Sequence, residues 1–344
     1  MRKYNSYYVP ICFFVLSVLG IMLAEVSTSF ILGELYSRFI RNGVFLLALI
    51  PPIMAGMGIN FSITVGAIAA QMAMVVVIDL GLEKTGGFLL AIVLSVLFAL
   101  VLGNIIGTVL NKAKGKEMIA SMVIGFLGTN IYLLIFMVGY GTVIKPFSET
   151  TLISSGIGVK SMLDAARFRS LYEGVLPIRV GNVSGSLVPV LAVLVLGLAV
   201  WGLTRSKLGY HMKAVGEDQT LSEKAGIDVD RVRKSSIVLS TVLASLGQLM
   251  FIQNMGVLNV YTGHLNLDVF SAAALLVGGA TLKNASVKNA FIGILLFHTL
   301  FIVSPMAGQN LFDNVALGEY FRSFLAYGTI VFAFVVNLRR ESEA

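Results

Sequence analysis

Apolar runs long enough to cross a bilayer recur from one end of this chain to the other, and that recurrence limits the fold before any motif is read. About 20 apolar residues in a helix cover the hydrocarbon thickness. Residues 8–24, 87–110, 118–144, 186–204 and 235–254 each reach or approach that length with almost no charge. Only 12% of the residues are charged and 57% are hydrophobic, against roughly 25% charged in an ordinary soluble domain. A soluble globule of this size would need a far more polar surface. The sequence therefore predicts an all-α polytopic membrane protein, one transmembrane unit over residues 1–344 with about ten transmembrane or re-entrant helices. The single cysteine, Cys12, lies inside the first run, so no disulfide framework exists.

Orientation follows from the basic residues, which collect in short cytoplasmic loops. Residues 8–24 follow Arg2 and Lys3. They read as a signal anchor, since no small-residue cleavage site follows and many spans come later. Glu25, Glu34, Arg38 and Arg41 mark a short polar link. The tract 43–80 is too long for one straight span. Pro51 and Pro52 cut the helical hydrogen-bond ladder, so two spans meeting near Asn60 are expected. Asp79, Glu83 and Lys84 mark the next exit, before a span over 87–110. NKAKGKE (111–117) carries three lysines in seven residues and is the clearest cytoplasmic signal. The chain then crosses over 118–144, runs outside the cell membrane over 145–185 and returns over 186–204. Further spans or re-entries are expected over 235–254, 268–282, 289–304 and 319–338, the last ending at Arg339 and Arg340. Both termini are thereby placed in the cytoplasm.

The longest strongly polar run, RSKLGYHMKAVGEDQTLSEKAGIDVDRVRK (205–234), holds seven Lys or Arg and five Asp or Glu between apolar segments. Thr220 and Glu223 have capping-box spacing, and Gly226 stands where a left-handed stop residue is expected. A helix of a turn or two over 221–225 is predicted, too short to persist alone in water. Leu221 and Ala225 share one of its faces. Asp228 and Asp230 can cap the following span, and Arg231, Arg233 and Lys234 can anchor it at the headgroups. Such a hinge is either an ordinary solvated loop or a place where a soluble partner grips.

This stretch resembles the cytoplasmic loop of permeases from bacterial ATP-binding-cassette (ABC) importers, specifically the branched-chain amino acid, simple sugar and nucleoside permeases. The likeness lies in Leu208-Gly209-Tyr210, Ala214-Val215-Gly216, Ala225-Gly226-Ile227 and Asp228-Val229-Asp230-Arg231. It extends to GMGINFSITVGAIAA (56–70) and DVFSAAALLVGGATLKNASVKNAFIGILL (268–296), and so over nearly the whole chain. Two positions depart from the pattern. Asp218-Gln219 stands where the family often has Asn-Pro, and Asn60 where an aspartate is common. The resemblance implies that Gly209, Ala214, Gly216, Leu221, Ala225, Gly226 and Ile227 form a coupling element seated in a groove of a separate ATPase. It further implies a second permease chain, identical or similar, and a solute-binding protein outside. Its expected location is the bacterial inner membrane. ATP and Mg²⁺ would sit on the partner ATPase, with no cofactor on this chain.

Polar groups at membrane depth are pathway candidates by default, because burying them in lipid is unfavourable. Asn60, Ser62 and Thr64 at the expected break either face a solute or mend the broken backbone. Gln248, Gln253 and Asn254 follow the hinge; Gln248 and Asn254 are taken as pathway candidates. Asn104, Asn130 and Gln71 read as interhelical hydrogen bonds. His298, with no Asp or Glu in its span, reads as a packed, hydrogen-bonded histidine. Gly86-Gly87 and Gly278-Gly279 permit close helix approach or re-entry. Residues 161–174 could form a surface amphipathic helix whose Arg167 and Arg169 meet a binding protein, or plain surface structure.

No G-x-x-x-x-G-K-[ST] loop, Cys/His metal spacing, H-E-x-x-H or G-x-S-x-G is present. The chain is therefore not expected to be an enzyme. The net charge of +7 is spread over many loops, and no nucleic-acid module appears. A simple sugar of the pentose type or a nucleoside is the expected solute; KEMIASM (116–122) is similar to nucleoside-type members. The alternatives are a branched-chain amino acid permease, or an ion-coupled secondary transporter, which would want carboxylates in the spans. A membrane enzyme acting on a lipid-linked substrate would need clustered acids or histidines at one interface.

Overall fold

The computed structural model describes residues 8–154, 156–172, 174–180 and 183–342. The first helices are α1 (Tyr8–Ala24), α2 (Thr28–Ala48), α3 (Ile50–Met54), α4 (Ile63–Asp79), α5 (Lys84–Lys112) and α6 (Glu117–Leu134). α6 runs on as a π turn, Ile135–Gly139. An irregular segment follows with β1 (Met162–Asp164), α7 (Ala166–Arg169), β2 (Pro177–Val180) and β3 (Val183–Ser186). Then come α8 (Leu187–Thr204), α9 (Lys207–Glu217), α10 (Gln219–Lys224), α11 (Val229–Met255), β4 (Val257–Asn259), α12 (Leu267–Val277), α13 (Val287–Phe312) and α14 (Val315–Ser342). Arg2 and Lys3, on which the placement of the N-terminus rested, lie outside the described residues.

Among the described residues five helices are long and apolar enough to cross a membrane: α5, α6 with its π turn, α8, α11 and α13. α1, α4 and α12 are shorter apolar helices. The chain is a multi-pass, helical membrane protein with, among the described residues, two small two-stranded ribbons. α5 shows how such a helix is read. Gly87, Ala91, Ser95, Ala99, Gly103 and Gly107 recur every four residues and are buried. These small side chains let α5 lie close against α11: a Cβ on Gly103 would stand 3.1 Å from the Val238 Cα. On the opposite face Leu89, Val93, Leu97, Val101 and Ile105 are each more than half exposed. That apolar stripe suits lipid and not water.

Three expectations are corrected. The polar link at Glu34, Arg38 and Arg41 is helical, part of α2. Its charges are matched by side chains: Arg38 pairs with Glu34 at 3.5 Å and lies over the Phe301 ring at 5.1 Å. Arg41 Nε donates to Asn254 Oδ1 at 2.6 Å. Of the two readings left open for 161–174, the helical one fails: the described residues form no amphipathic helix. Met162–Asp164 pairs antiparallel with Val257–Asn259, and the one-turn α7 follows. Long-range pairing overrides the local periodicity there. Asn104 and Asn130 bond carbonyls of their own helices, at Leu100 and Phe126, since an outward amide finds its i−4 carbonyl first.

The expected break near Asn60 is present. Pro51 and Pro52 sit in the first turn of α3, where a missing N–H costs nothing. The chain is then non-helical until α4, with positive φ at Gly56 and Gly58. α12 is a half-length helix, buried almost throughout. It packs tightly on α13: a Cβ on Gly278 would stand 1.9 Å from the Asn289 carbonyl oxygen, and one on Gly293 2.0 Å from that of Ala274. Gly86 makes no such approach, and Gly87 turns back only on Leu82.

Candidate functional site: a polar hinge seated on a broken helix

The hinge is two short helices at a right of way between α8 and α11. α9 buries Gly209, Met212 and Val215, one face of an amphipathic helix. Its first turn is capped by Ser206, whose Oγ accepts from Gly209 N at 3.3 Å. Gly209 is required sterically, since a Cβ there would stand 2.1 Å from the Leu203 carbonyl oxygen. α10 is the short helix expected from the sequence, but its cap is Asp218 and not Thr220. Asp218 Oδ1 accepts from Leu221 N at 2.9 Å. The helix thus begins two residues earlier than the capping-box spacing indicated.

Its end is a full Schellman turn. Ile227 N donates to Ser222 O at 3.0 Å and Gly226 N to Glu223 O at 2.9 Å, with Gly226 at φ +80. Asp228 Oδ1 then accepts from Arg231 N at 2.9 Å and starts α11. Leu221 is 65% exposed and Ala225 is exposed, whereas Ser222 faces inward. Asp218→Ala is expected to destabilise the hinge by about 1 kcal/mol, while Thr220→Ala stays within a few tenths. Thermal unfolding of the purified chain checks the contrast; equal shifts would return the cap to Thr220.

α9 ends on the break in the α3–α4 segment. A Cβ on Gly216 would stand 2.3 Å from the Met54 carbonyl oxygen, and one on Gly56 2.8 Å from the Gly216 Cα. The two backbones therefore touch with no side chain between them. Beyond this contact lies a buried polar cluster. Asn60 Nδ2 donates to Ser240 Oγ at 3.1 Å, and Asn60 Oδ1 accepts from Ser62 N at 3.1 Å and Ser62 Oγ at 2.5 Å. Phe61 N donates to Ser121 Oγ at 3.1 Å, and Thr64 Oγ1 reaches Phe61 O at 3.5 Å. Asn60, Ser62 and Thr64 are buried. In this conformation their side chains satisfy the broken backbone, Asn60 ties it to α11, and the Phe61 N–H ties it to Ser121 of α6. Beside the break lies a largely apolar cavity of about 760 Å³, bordered by Gly56, Met57, Phe61, Met118, Met122 and Tyr327.

A second tie joins the hinge to the lysine-rich turn before α6. Arg233 is fully buried, contrary to its expected place at the headgroups. Its Nη2 lies 2.5 Å from Glu117 Oε1, and its Nε donates to Asn111 Oδ1 at 3.2 Å. Asn111 Nδ2 donates to Asp230 O at 2.7 Å, and Lys114 pairs with Asp230 at 3.0 Å. A carboxylate in the first turn of α6 outcompeted the lipid surface for this guanidinium. Arg231 remains exposed.

The remaining candidates fall in separate places. Asn254 is held by Arg41, beside a polar cavity of about 370 Å³ that Tyr36, Arg169, Tyr172 and Arg179 also line. Gln253 donates to Phe168 O at 3.1 Å. Gln248 lies deeper and donates to Gly263 O at 3.1 Å. Gln71 makes long-range bonds, but not the interhelical ones expected of it: its partners are Asn259 O at 3.2 Å, in β4, and His264 Nδ1 at 2.8 Å, in the irregular link before α12. His298 packs edge-on to Phe297 at 5.3 Å, but its Nδ1 has no hydrogen-bond partner. It has no monopoly on buried imidazole, since His264 is fully buried too. Sequence reading missed His264, which sits in an irregular link with no periodicity to mark it.

These features define a multi-pass membrane protein in which a polar hinge bears directly on a break in a buried helix. The chain belongs to the family of branched-chain amino acid transport system permease components, whose model matches residues 44–334. That family consists of permease components of ABC transporters, ribose and other sugar permeases included, and it works in general with ATPase and solute-binding partners. No match was found among curated proteins or among solved structures.

Proposed function

We propose that the chain is the permease subunit of an ABC importer in the bacterial inner membrane, translocating a pentose-type sugar or a nucleoside handed over by a solute-binding protein. Two such chains, identical or similar, enclose one path, and ATP and Mg²⁺ are bound on separate ATPase subunits. The observation that carries this reading is the seat of α9 on the broken helix, with Leu221 of α10 and Ala225 at its C-cap turned outward. An apolar side chain on an otherwise polar surface fits a groove on a partner. Push on α10 passes through the Asp218 junction into α9, and from Gly216 into the backbone at Gly56. The substrate class draws support from α12, whose first turn already holds Asp268. Its own carboxylate takes the positive helix end that would favour the carboxylate of an amino acid.

Affinity capture of the full-length chain from solubilised membranes is expected to bring down an ATPase and an extracytoplasmic binding protein. The reconstituted complex should take up labelled ribose or uridine only with ATP. Leu221→Asp should reduce ATPase capture and uptake by about tenfold or more, equivalent to ~1.4 kcal/mol of lost contact, with membrane insertion unchanged. Uphill uptake by the chain alone, driven by a proton or sodium gradient, would sink the reading.

A further inference from the structure

The link between α11 and α12, residues 256–266, contains β4 and reaches Gln71 in the middle of α4, and buried polar atoms gather around it. Gln71 on α4 donates through Nε2 to Asn259 O, so its Oε1 is the acceptor facing His264 Nδ1 at 2.8 Å. Buried with no carboxylate bonded to it among the described residues, the imidazole is neutral. Its proton then sits on Nδ1, and Nε2 is left as an acceptor. That Nε2 has no partner. Gln248 on α11 spends its Nε2 on Gly263 O, and its Oε1 has no partner. The Tyr132 ring on α6 stands edge-on to His264 with centroids 5.3 Å apart, and its hydroxyl has no partner either. Gln71, Gln248 and His264 are fully buried, and Tyr132 is 2% exposed.

Buried polar atoms are nearly always satisfied, and these three unpartnered ones belong to side chains that adjoin a single link: Tyr132 lies edge-on to His264, and Gln248 bonds the carbonyl of its neighbour Gly263. What they ask for is specific. Two acceptors and one hydroxyl complement a molecule rich in O–H or N–H donors; a carboxylate or phosphate would find a single donor. Thr262, Leu265 and Asn266 of the same link are exposed, so the cluster lies just behind a free face of the chain. α12 begins at that face, with no side-chain cap on Asn266.

We propose that Tyr132, Gln248 and His264 form a subsite for the donor hydroxyls of a neutral, polyhydroxylated solute, reached when the 256–266 link shifts. The proposal rests on the transport reading above and names side chains that would meet its solute. It is tested on the complete reconstituted complex with labelled ribose, uridine and leucine, comparing wild type with Tyr132→Phe and Gln248→Met. Tyr132→Phe removes only an unpaired hydroxyl, so its thermal midpoint should equal or exceed that of wild type. Its KM for ribose or uridine should nonetheless rise about tenfold, and that of Gln248→Met by at least as much. Wild-type KM in both variants would leave an ordered internal water only and overturn the subsite, with the transport reading intact. Uptake of leucine by the wild-type complex, without ribose or uridine, would overturn the substrate class and the subsite together. No ATP-driven uptake at all would mark failure of the transport reading itself.

Discussion

Glu117→Ala is expected to destabilise the folded chain by about 3–5 kcal/mol, the usual consequence of removing one partner from a buried ion pair. The reason lies with what stays behind. Arg233 is 0% exposed, its Nη1 already has no partner, and a guanidinium does not shed its proton in proteins. Without the Glu117 oxygen at 2.5 Å, only Asn111 at 3.2 Å faces the charge. The double variant Glu117→Leu with Arg233→Met removes both charges, and its stability is expected near that of wild type. Thermal or denaturant unfolding of the purified chain separates the two outcomes. A single variant within about 1 kcal/mol of wild type would mean that water reaches the guanidinium and that the pair is not a tie. The double variant carries a second consequence. It removes the buried tie between the hinge and the turn at 111–117 and leaves only the Asn111 and Lys114 contacts to Asp230, so uptake should fall although the fold survives.

That pair also illustrates what could be read from the amino-acid order and what could not. Local rules worked where the partner is close in sequence. The bounds of α1 and α8, the stop at Gly226 and the cap at Asp228 all follow from hydropathy or from groups within four residues. The break near Asn60 was legible because two prolines and several glycines are concentrated there. Failures came where distant elements compete. Arg233 pointed to the headgroups on position alone, but its carboxylate lies 116 residues away. Residues 161–174 have a plausible helical face, yet Met162–Asp164 pair as a strand with Val257–Asn259. His264 meets Gln71 across 193 positions, and no spacing announces such a contact. Thr220 lost the cap to Asp218 for a smaller reason: both residues offer an oxygen, and an N-terminal carboxylate is favoured further by the helix dipole. The contact between Gly56 and Gly216 belongs with the illegible ones. Each glycine is visible in the order of residues, but only the fold places one upon the other.

Gly216→Ala is expected to separate ATP hydrolysis from solute movement, cutting uptake per ATP by about tenfold or more, while the chain still inserts and assembles. The added Cβ would meet the Met54 carbonyl oxygen at 2.3 Å, well inside contact distance, so α9 must lift from the break. Overpacking of this kind costs about 1–3 kcal/mol, enough to displace a docked helix without unfolding a bundle held elsewhere by α4, α5 and α11. A push on α10 would then move α9 without moving Gly56. Gly56→Ala approaches the same contact from the other side and adds strain at φ +72, so its loss should be at least as large. Gly202→Ala is the control: it lies close by at the end of α8, and a Cβ there meets nothing within 4 Å. The measurement is the ratio of labelled solute imported to phosphate released in proteoliposomes, with the ATPase rate recorded alone. A raised or unchanged ATPase rate beside a collapsed import ratio is the expected signature, because the motor still turns while the gate does not follow. If Gly216→Ala and Gly202→Ala import alike, the backbone contact transmits nothing, and the connection between hinge and path must be sought at Glu117 and Arg233 instead.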